Sequence, residues 1–265
     1  MPIIGTRASH GTSSRFKSVV TGGSLSSDAT YYYRTFTGNG TLTVSESALT
    51  CDVLIGAGGG SGGGAGSGSA SGGGSFTSGY VAAVGSYNFV IGAVQNNSTG
   101  IGITAYAGGT AQSGYGNGNS GGSGSGAGNS EGGAASGGAA TKASGGTITY
   151  GNVGGNSATA SGPGYAFSGS GGGGGWGGAG GQNYAIGPTF DKLGVGGNAG
   201  SGTTAYNSWS QATGIGQLSG GVYYIGAGAA GNSQSVGNAA LGLGANSSGY
   251  DGSGFVMVRY LKTAV

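Results

Sequence analysis

Apolar and polar residues alternate in only a few short stretches of this chain. In "RTFTGNGTLTV" Leu42 and Val44 share one face and Thr41 and Thr43 the other, after a Gly38-Asn39-Gly40 turn signal. A hairpin is expected there. Cys51, Val53 and Ile55 alternate with Asp52 and Leu54, and in "GFVMVRYL" Val256, Val258 and Tyr260 alternate with Phe255 and Met257. A lone strand leaves its backbone donors unpaired when buried, so residues 53–55 and 255–258 are expected to meet in one small β-structure. "FTSGYVAAVGSYNFVIGA" reads as two more strands meeting near Gly85-Ser86, and "GIGITAYAGG" as another short one. No window of helical period is found. The fold class predicted is all-β, with short strands at both ends of a glycine-rich region and essentially no helix.

Composition then changes the picture, because 73 of the 265 residues are Gly and only eight are basic and six acidic. Disordered chains carry many charges and few aromatics, whereas this one has 15 Tyr. An ordered chain is expected. Each ordered Gly costs about 0.5–1 kcal/mol more backbone entropy than Ala, and tracts without large side chains can offset this only through backbone hydrogen bonds and close approach. Packed segments of polyglycine-II and β type satisfy that requirement, with Gly pointing inward and Ser, Ala, Asn and Thr pointing out.

The texture of the chain suggests two parts: an extended arm over residues 1–33, and a glycine-rich domain over 34–265. The arm holds Arg7, Arg15, Lys17, the sole histidine His10 and the cluster Tyr31, Tyr32 and Tyr33. No Lys or Arg occurs between Arg34 and Lys142, so no basic stripe tracks phosphates and nucleic acid is not an expected partner. The apolar run 80–84 is far shorter than the roughly 20 residues of a membrane helix, and "MPIIGTRASHGTSSRFK" lacks the apolar core of a signal peptide. Neither membrane insertion nor a secretory leader is expected. Cys51, alone and in an alternating strand, is expected to be a small buried hydrophobe.

Catalytic chemistry finds little support. A Ser-His-Asp site would require His10 to fold back from the arm. The acidic residues Asp28, Glu46, Asp52, Glu131, Asp191 and Asp251 are scattered, and one His with one Cys makes no metal cluster. G-x-G-x-x-G matches arise by chance at this glycine content, without a following helix to present amides to phosphate. In "GYDGSG" Asp251 alone supplies too few oxygens for calcium. The chain is expected to be no enzyme and to use no cofactor or metal. Ice binding would need a repeated Thr ladder, and Thr35/Thr37 and Thr41/Thr43 do not recur along the tracts.

The order "RTFTGNGTLTV", "CDVLIGAGGGSGGG", "GIGITAYAGG", "GGGGGWGGAGGQ", "GGVYYIGAGAAG" and "GSGFVMVRY" resembles the glycine-rich domain of bacteriophage tail and virion proteins over most of residues 34–265. It is similar in style to the polyglycine-II adhesins at tail-fibre tips. The resemblance implies a virion location, with the arm attaching to other tail or capsid proteins through Arg7, Arg15, Phe16, Tyr31, Tyr32 and Tyr33. It also implies a receptor that is a bacterial surface glycan or outer-membrane protein. A homo-oligomer is compatible with it.

The aromatic breaks in the glycine, at residues 175–194 and 203–214, are the receptor-binding candidates: Trp176, Tyr184, Phe190, Lys192, Tyr206 and Trp209. Aromatic faces with polar edges suit sugar rings and protein loops. Two alternatives stay open. These aromatics cap a core otherwise short of side chains, or the chain is a purely structural virion component without receptor binding.

Overall fold

The computed structural model describes residues 17–62, 68–112, 116–128, 134–157, 169–183, 196–231 and 252–265. In chain order the strands are β1 (Val19–Thr21), β2 (Ser24–Ser27), β3 (Tyr31–Phe36), β4 (Gly40–Ser45), β5 (Leu49–Gly56), β6 (Gly74–Ala82) and β7 (Gly85–Phe89). Then come β8 (Ser98–Gly100), β9 (Ile103–Ala105), β10 (Ala143–Ser144), β11 (Ile148–Tyr150), β12 (Gln217–Ser219), β13 (Val222–Tyr224) and β14 (Phe255–Leu261). Among the described residues one α-helix, α1 (Asn207–Thr213), precedes β12. The protein is all-β, as its alternation predicts.

Two sheets form a sandwich. One runs β11-β6-β5-β14-β3-β2 and the other β1-β4-β7, every pair antiparallel. Val20, Leu42 and Val44 of the smaller sheet pack on Val53, Ile55, Val256 and Val258 of the larger in one core cluster. The alternation of β5 and β14 sends their other residues to the opposite face, where Leu54, Phe255 and Met257 join Tyr33, Trp176, Tyr206, Trp209 and Ile225 in a second cluster. The pairing expected of the strands beside the glycine region is present, with Val256 opposite Ile55 and Val258 opposite Val53.

The strands proposed around Gly38-Asn39-Gly40 exist, but they do not form a hairpin. β3 belongs to the large sheet and β4 to the small one, so the turn carries the chain across the sandwich. The reason is the core: Phe36 and Phe89 meet across the two sheets with ring centroids 5.0 Å apart, and Asn39 Oδ1 accepts the Ile91 N–H at 2.8 Å. β6 and β7 likewise part into different sheets after Ala82. "GIGITAYAGG" supplies the turn and second strand of a hairpin, β8 to β9, whose central residues Ile101 and Gly102 have φ of 47° and 76°. Positive φ at both central positions is what a two-residue hairpin turn of type I′ requires.

The arm expected over residues 1–33 is corrected where it is described. β1 and β2 are ladder strands, and the boundary at residue 33 falls inside β3. Residues 18–33 alternate too briefly to announce themselves, yet Tyr33 is fully buried and Val20 nearly so.

From the ends of the sheets the glycine tracts run outward and back. Residues 57–62 leave β5 and 68–73 return to β6; 106–112 and 116–122, 123–128 and 134–142, 151–157 and 169–176, 178–183 and 196–203, 226–231 and 252–254 repeat the excursion. Backbone hydrogen bonds join each pass to several others with a period of three. Ser123 and Gly126 donate to Ser71 and Gly68, Gly124 and Ala127 to Asn152 and Gly155, and Ser125 and Gly128 to Asn119 and Gly116. Residues 171, 174; 172, 175; and 173, 176 divide in the same way among three neighbours: Ala127 and Gly124, Gly181 and Gly178, Ala229 and Gly226. Three residues per turn is the repeat of the polyproline-II helix, which has no internal hydrogen bonds and so offers every donor to its neighbours.

Glycine is required where passes touch. A Cβ on Gly126 would stand inside the carbonyl of Gly171, and one on Gly173 inside that of Ser69. The expectation that Ser and Ala point outward is corrected: Ser69, Ala70, Ser71, Ser123, Ser125, Ala127 and Ser170 are all buried. An inner pass has neighbours on every side, and the gaps between carbonyls fit one small side chain. The hydroxyls stay paired there, Ser71 Oγ lying 3.0 Å from Ser123 Oγ and Ser125 Oγ accepting the Asn119 N–H at 2.8 Å. Toward the edge of the frame, Asn amides stand in for a missing backbone: Asn97 Oδ1 accepts Ala107 N–H, Asn117 Oδ1 accepts Ser136 N–H, and Asn152 Nδ2 donates to Gly175 O.

Candidate functional site

The described aromatic candidates for recognition turn out to be core. Trp176, Tyr206 and Trp209 are 6%, 6% and 3% exposed, which corrects their assignment to a receptor-facing surface. The capping alternative describes them. Trp176 stacks on Tyr150 with centroids 5.0 Å apart and donates its indole N–H to Gly72 O at 2.6 Å. That indole bond takes the place of one more inter-pass backbone bond and clamps the glycine frame to the sheet. Tyr206 Oη lies 2.6 Å from Tyr150 Oη, and burial, followed by that bond, raises the Tyr206 phenol above its usual value. Trp209 meets Tyr33 and Phe76 edge-on at 5.9 and 6.0 Å.

Helix α1 places Trp209, and its seven residues explain why no helical period is legible. Its end is marked by Gly214 at φ 76°, whose N–H reaches back to Ser210 O. The attachment candidates fare similarly. Tyr33 is buried, and Tyr31 and Tyr32 are half-buried within β3, so they belong to the sheet rather than to a free arm. Arg7, Arg15, Phe16 and His10 lie outside the described residues, as do Tyr184, Phe190 and Lys192.

One charged constellation escaped the sequence reading. Between Cys51 and Val53 the β5–β6 register slips, so that Ser78 and Gly79 both oppose Asp52, with Gly79 at φ 63°. This bulge turns two donors onto the carboxylate, Ser78 Oγ at 3.1 Å and Gly79 N–H at 2.9 Å, while Arg259 Nη2 donates at 2.6 Å. The Arg259 guanidinium is held 4.4 Å from the Tyr31 ring centroid and 4.5 Å from that of Trp209. Burial alone would raise the Asp52 carboxyl, but the Arg259 bond, the Gly79 N–H, the Arg259 charge and Ser78 together hold it below its ordinary value. The pair joins β5 to β14 and the guanidinium carries it onto Trp209 of α1, a strut between sheet and helix. Among the described residues no three His, Cys, Asp or Glu side chains cluster to hold a metal ion, and no helix is long and apolar enough to cross a membrane.

The remaining candidate site is an end of the molecule. The outermost described hydrogen bonds link Ala111 with Ser61, Gly128 with Gly116, Ser157 with Ala135, Asn183 with Asn156, and Gly231 and Ser170 with Gly197. These residues neighbour one another at the end of the frame away from the sheets. The chain spans that join outward to returning passes, 63–67, 113–115, 129–133, 158–168, 184–195 and 232–251, therefore all start and finish there. Charge follows the same division. The described tracts carry none except Lys142 beside β10, whereas Glu131, Asp191, Lys192 and Asp251 all belong to the joining spans. Tyr184, Phe190 and Lys192 belong to one of these spans in sequence.

No protein-family model matches the chain, and no curated protein matches it.

Proposed function

We propose that the chain is a bacteriophage virion protein, a tail-fibre or tail-tip adhesin that meets a bacterial surface glycan or outer-membrane protein with the spans at the far end of its glycine frame. The observation that supports this reading is that the described residues flanking all six joining spans lie at one end, opposite the sheets. A frame bonded through its own backbone has little side-chain chemistry to offer. Discrimination then falls to the residues that leave it. In this reading the sheet end, from which residues 1–16 depart at Lys17, faces the particle.

Adsorption separates this from the structural alternative, which the burial of Trp176, Tyr206 and Trp209 favours by removing three aromatics from the contact surface. Tyr184→Ala, Phe190→Ala and Lys192→Ala are expected to fold normally while protein bearing them competes less well for host cells. Unimpaired competition by all three, together with antibody decoration away from any tail tip, would move the assignment to a structural virion component.

A further inference from the structure

A strand buried on both faces, β14, is inserted between two others that precede it by some 200 residues. β14 takes six register pairs from β3 and five from β5, and it sends Val256, Val258 and Tyr260 into one core cluster and Phe255 and Met257 into the other. Both rails of its slot come from residues 31–56. Each rail has a partner on its far side, β2 beside β3 and β6 beside β5, so neither depends on β14 alone for its place. An unfilled slot presents two unpaired strand edges about 9–10 Å apart, over apolar floors on both faces, which is a template for an extended segment.

The contacts that flank β14 read the same segment. On entry Gly59 N–H donates to Gly252 O at 2.6 Å and Gly254 N–H to Gly92 O at 2.7 Å; after it Lys262 N–H donates to Thr30 O at 3.0 Å and Ser18 N–H to Ala264 O at 3.1 Å. None of these needs β14 to be covalently joined to residue 231. The span from 232 to 251 reaches at most about 66–72 Å when extended, enough to carry β14 into the slot of a neighbouring copy.

We infer that the slot between β3 and β5 is a strand-acceptor site for residues 252–265, filled in the folded monomer by its own β14 and open to the same segment of a second copy. The sheet then stays incomplete until the segment arrives, and chains folding side by side exchange it. This goes beyond the virion reading and stands without it.

The test uses the whole chain with a protease site placed in the 232–251 span. After cleavage the segment is expected to stay bound through gel filtration. Unfolding and refolding with a tenfold excess of fluorescent 252–265 peptide should label most molecules, while the Val258→Asp peptide should label at least tenfold fewer. Without any unfolding, native cleaved protein incubated with the same two peptides gives the second measurement, in which slow uptake of the unmodified peptide alone is expected. The inference is overturned if cleavage releases the segment, or if the two peptides label equally in both arms.

Discussion

Cys51 shows how much one position depends on its surroundings. Burial first, and the neighbouring Asp52 charge second, push its thiol up to about 12, and the side chain is 3% exposed. Since the thiolate is the nucleophile, iodoacetamide at pH 8 should leave Cys51 unmodified in the folded protein and alkylate it in urea. Modification at equal rates in both would place Cys51 outside the core. At Gly126 the constraint is steric. With the Gly171 carbonyl where a Cβ would sit, Gly126→Ala should destabilise by about 1–3 kcal/mol, whereas Gly38→Ala, with open space around it, should cost far less. Urea midpoints of the two variants measure the difference.

The bulge in β6 decides the acid behaviour at the scale of the element. It turns Ser78 and Gly79 onto Asp52, and the turn before β3 does the same for Asp28, which accepts the Thr30 and Tyr31 N–H groups and the Tyr33 hydroxyl. For Asp28 burial raises the carboxyl, and the Tyr33 bond, the two N–H bonds and the Lys262 charge more than offset it, so both carboxyls lie below their ordinary value of 3.8. A depressed carboxyl stabilises the fold fully above its unfolded value and loses that contribution as pH falls through the folded one. Stability should therefore be level from about pH 6 to 5 and fall below pH 4. In Asp52→Asn the fall should be shallower; an unchanged slope would remove the Arg259 pair from the account. Trp209 is the anchor of helix α1, and Trp209→Ala should cost about 3–5 kcal/mol in thermal or urea unfolding.

For the whole molecule, the frame of glycine passes and the sandwich share β5, β6, β11 and β14, each of which runs directly into or out of a tract. Disruption at the junction should therefore be felt in both. Val256→Asp puts an unpaired charge beside Ile55 and is expected to lower stability by several kcal/mol. Hydrogen exchange should report the loss together at residues 123–128 and 171–175, whose amides are paired pass to pass. Protection retained in the tracts while the sheet opens would show two independent units.

Several features were legible because they depend only on near neighbours in the chain. The two-residue period of "CDVLI" and "FVMVRYL" determined that these segments are strands, and the lack of charge over long glycine runs determined that order had to come from the backbone. Which strands pair was settled by tertiary structure. "RTFTGNGTLTV" has the sequence of a hairpin, but the gain from closing Phe36 on Phe89 across two sheets outweighs local pairing. The fates of Trp176, Tyr206 and Trp209 were likewise hidden. An aromatic beside glycine looks the same in sequence whether it faces solvent or the far side of a sheet, and it is the outer faces of β3, β5, β6, β11 and β14 together that supply the surface that buries these three. The period of three in the tracts belongs to neither level alone: each pass has the freedom to adopt it because it is glycine, and adopts it because passes distant in sequence lie within hydrogen-bonding reach.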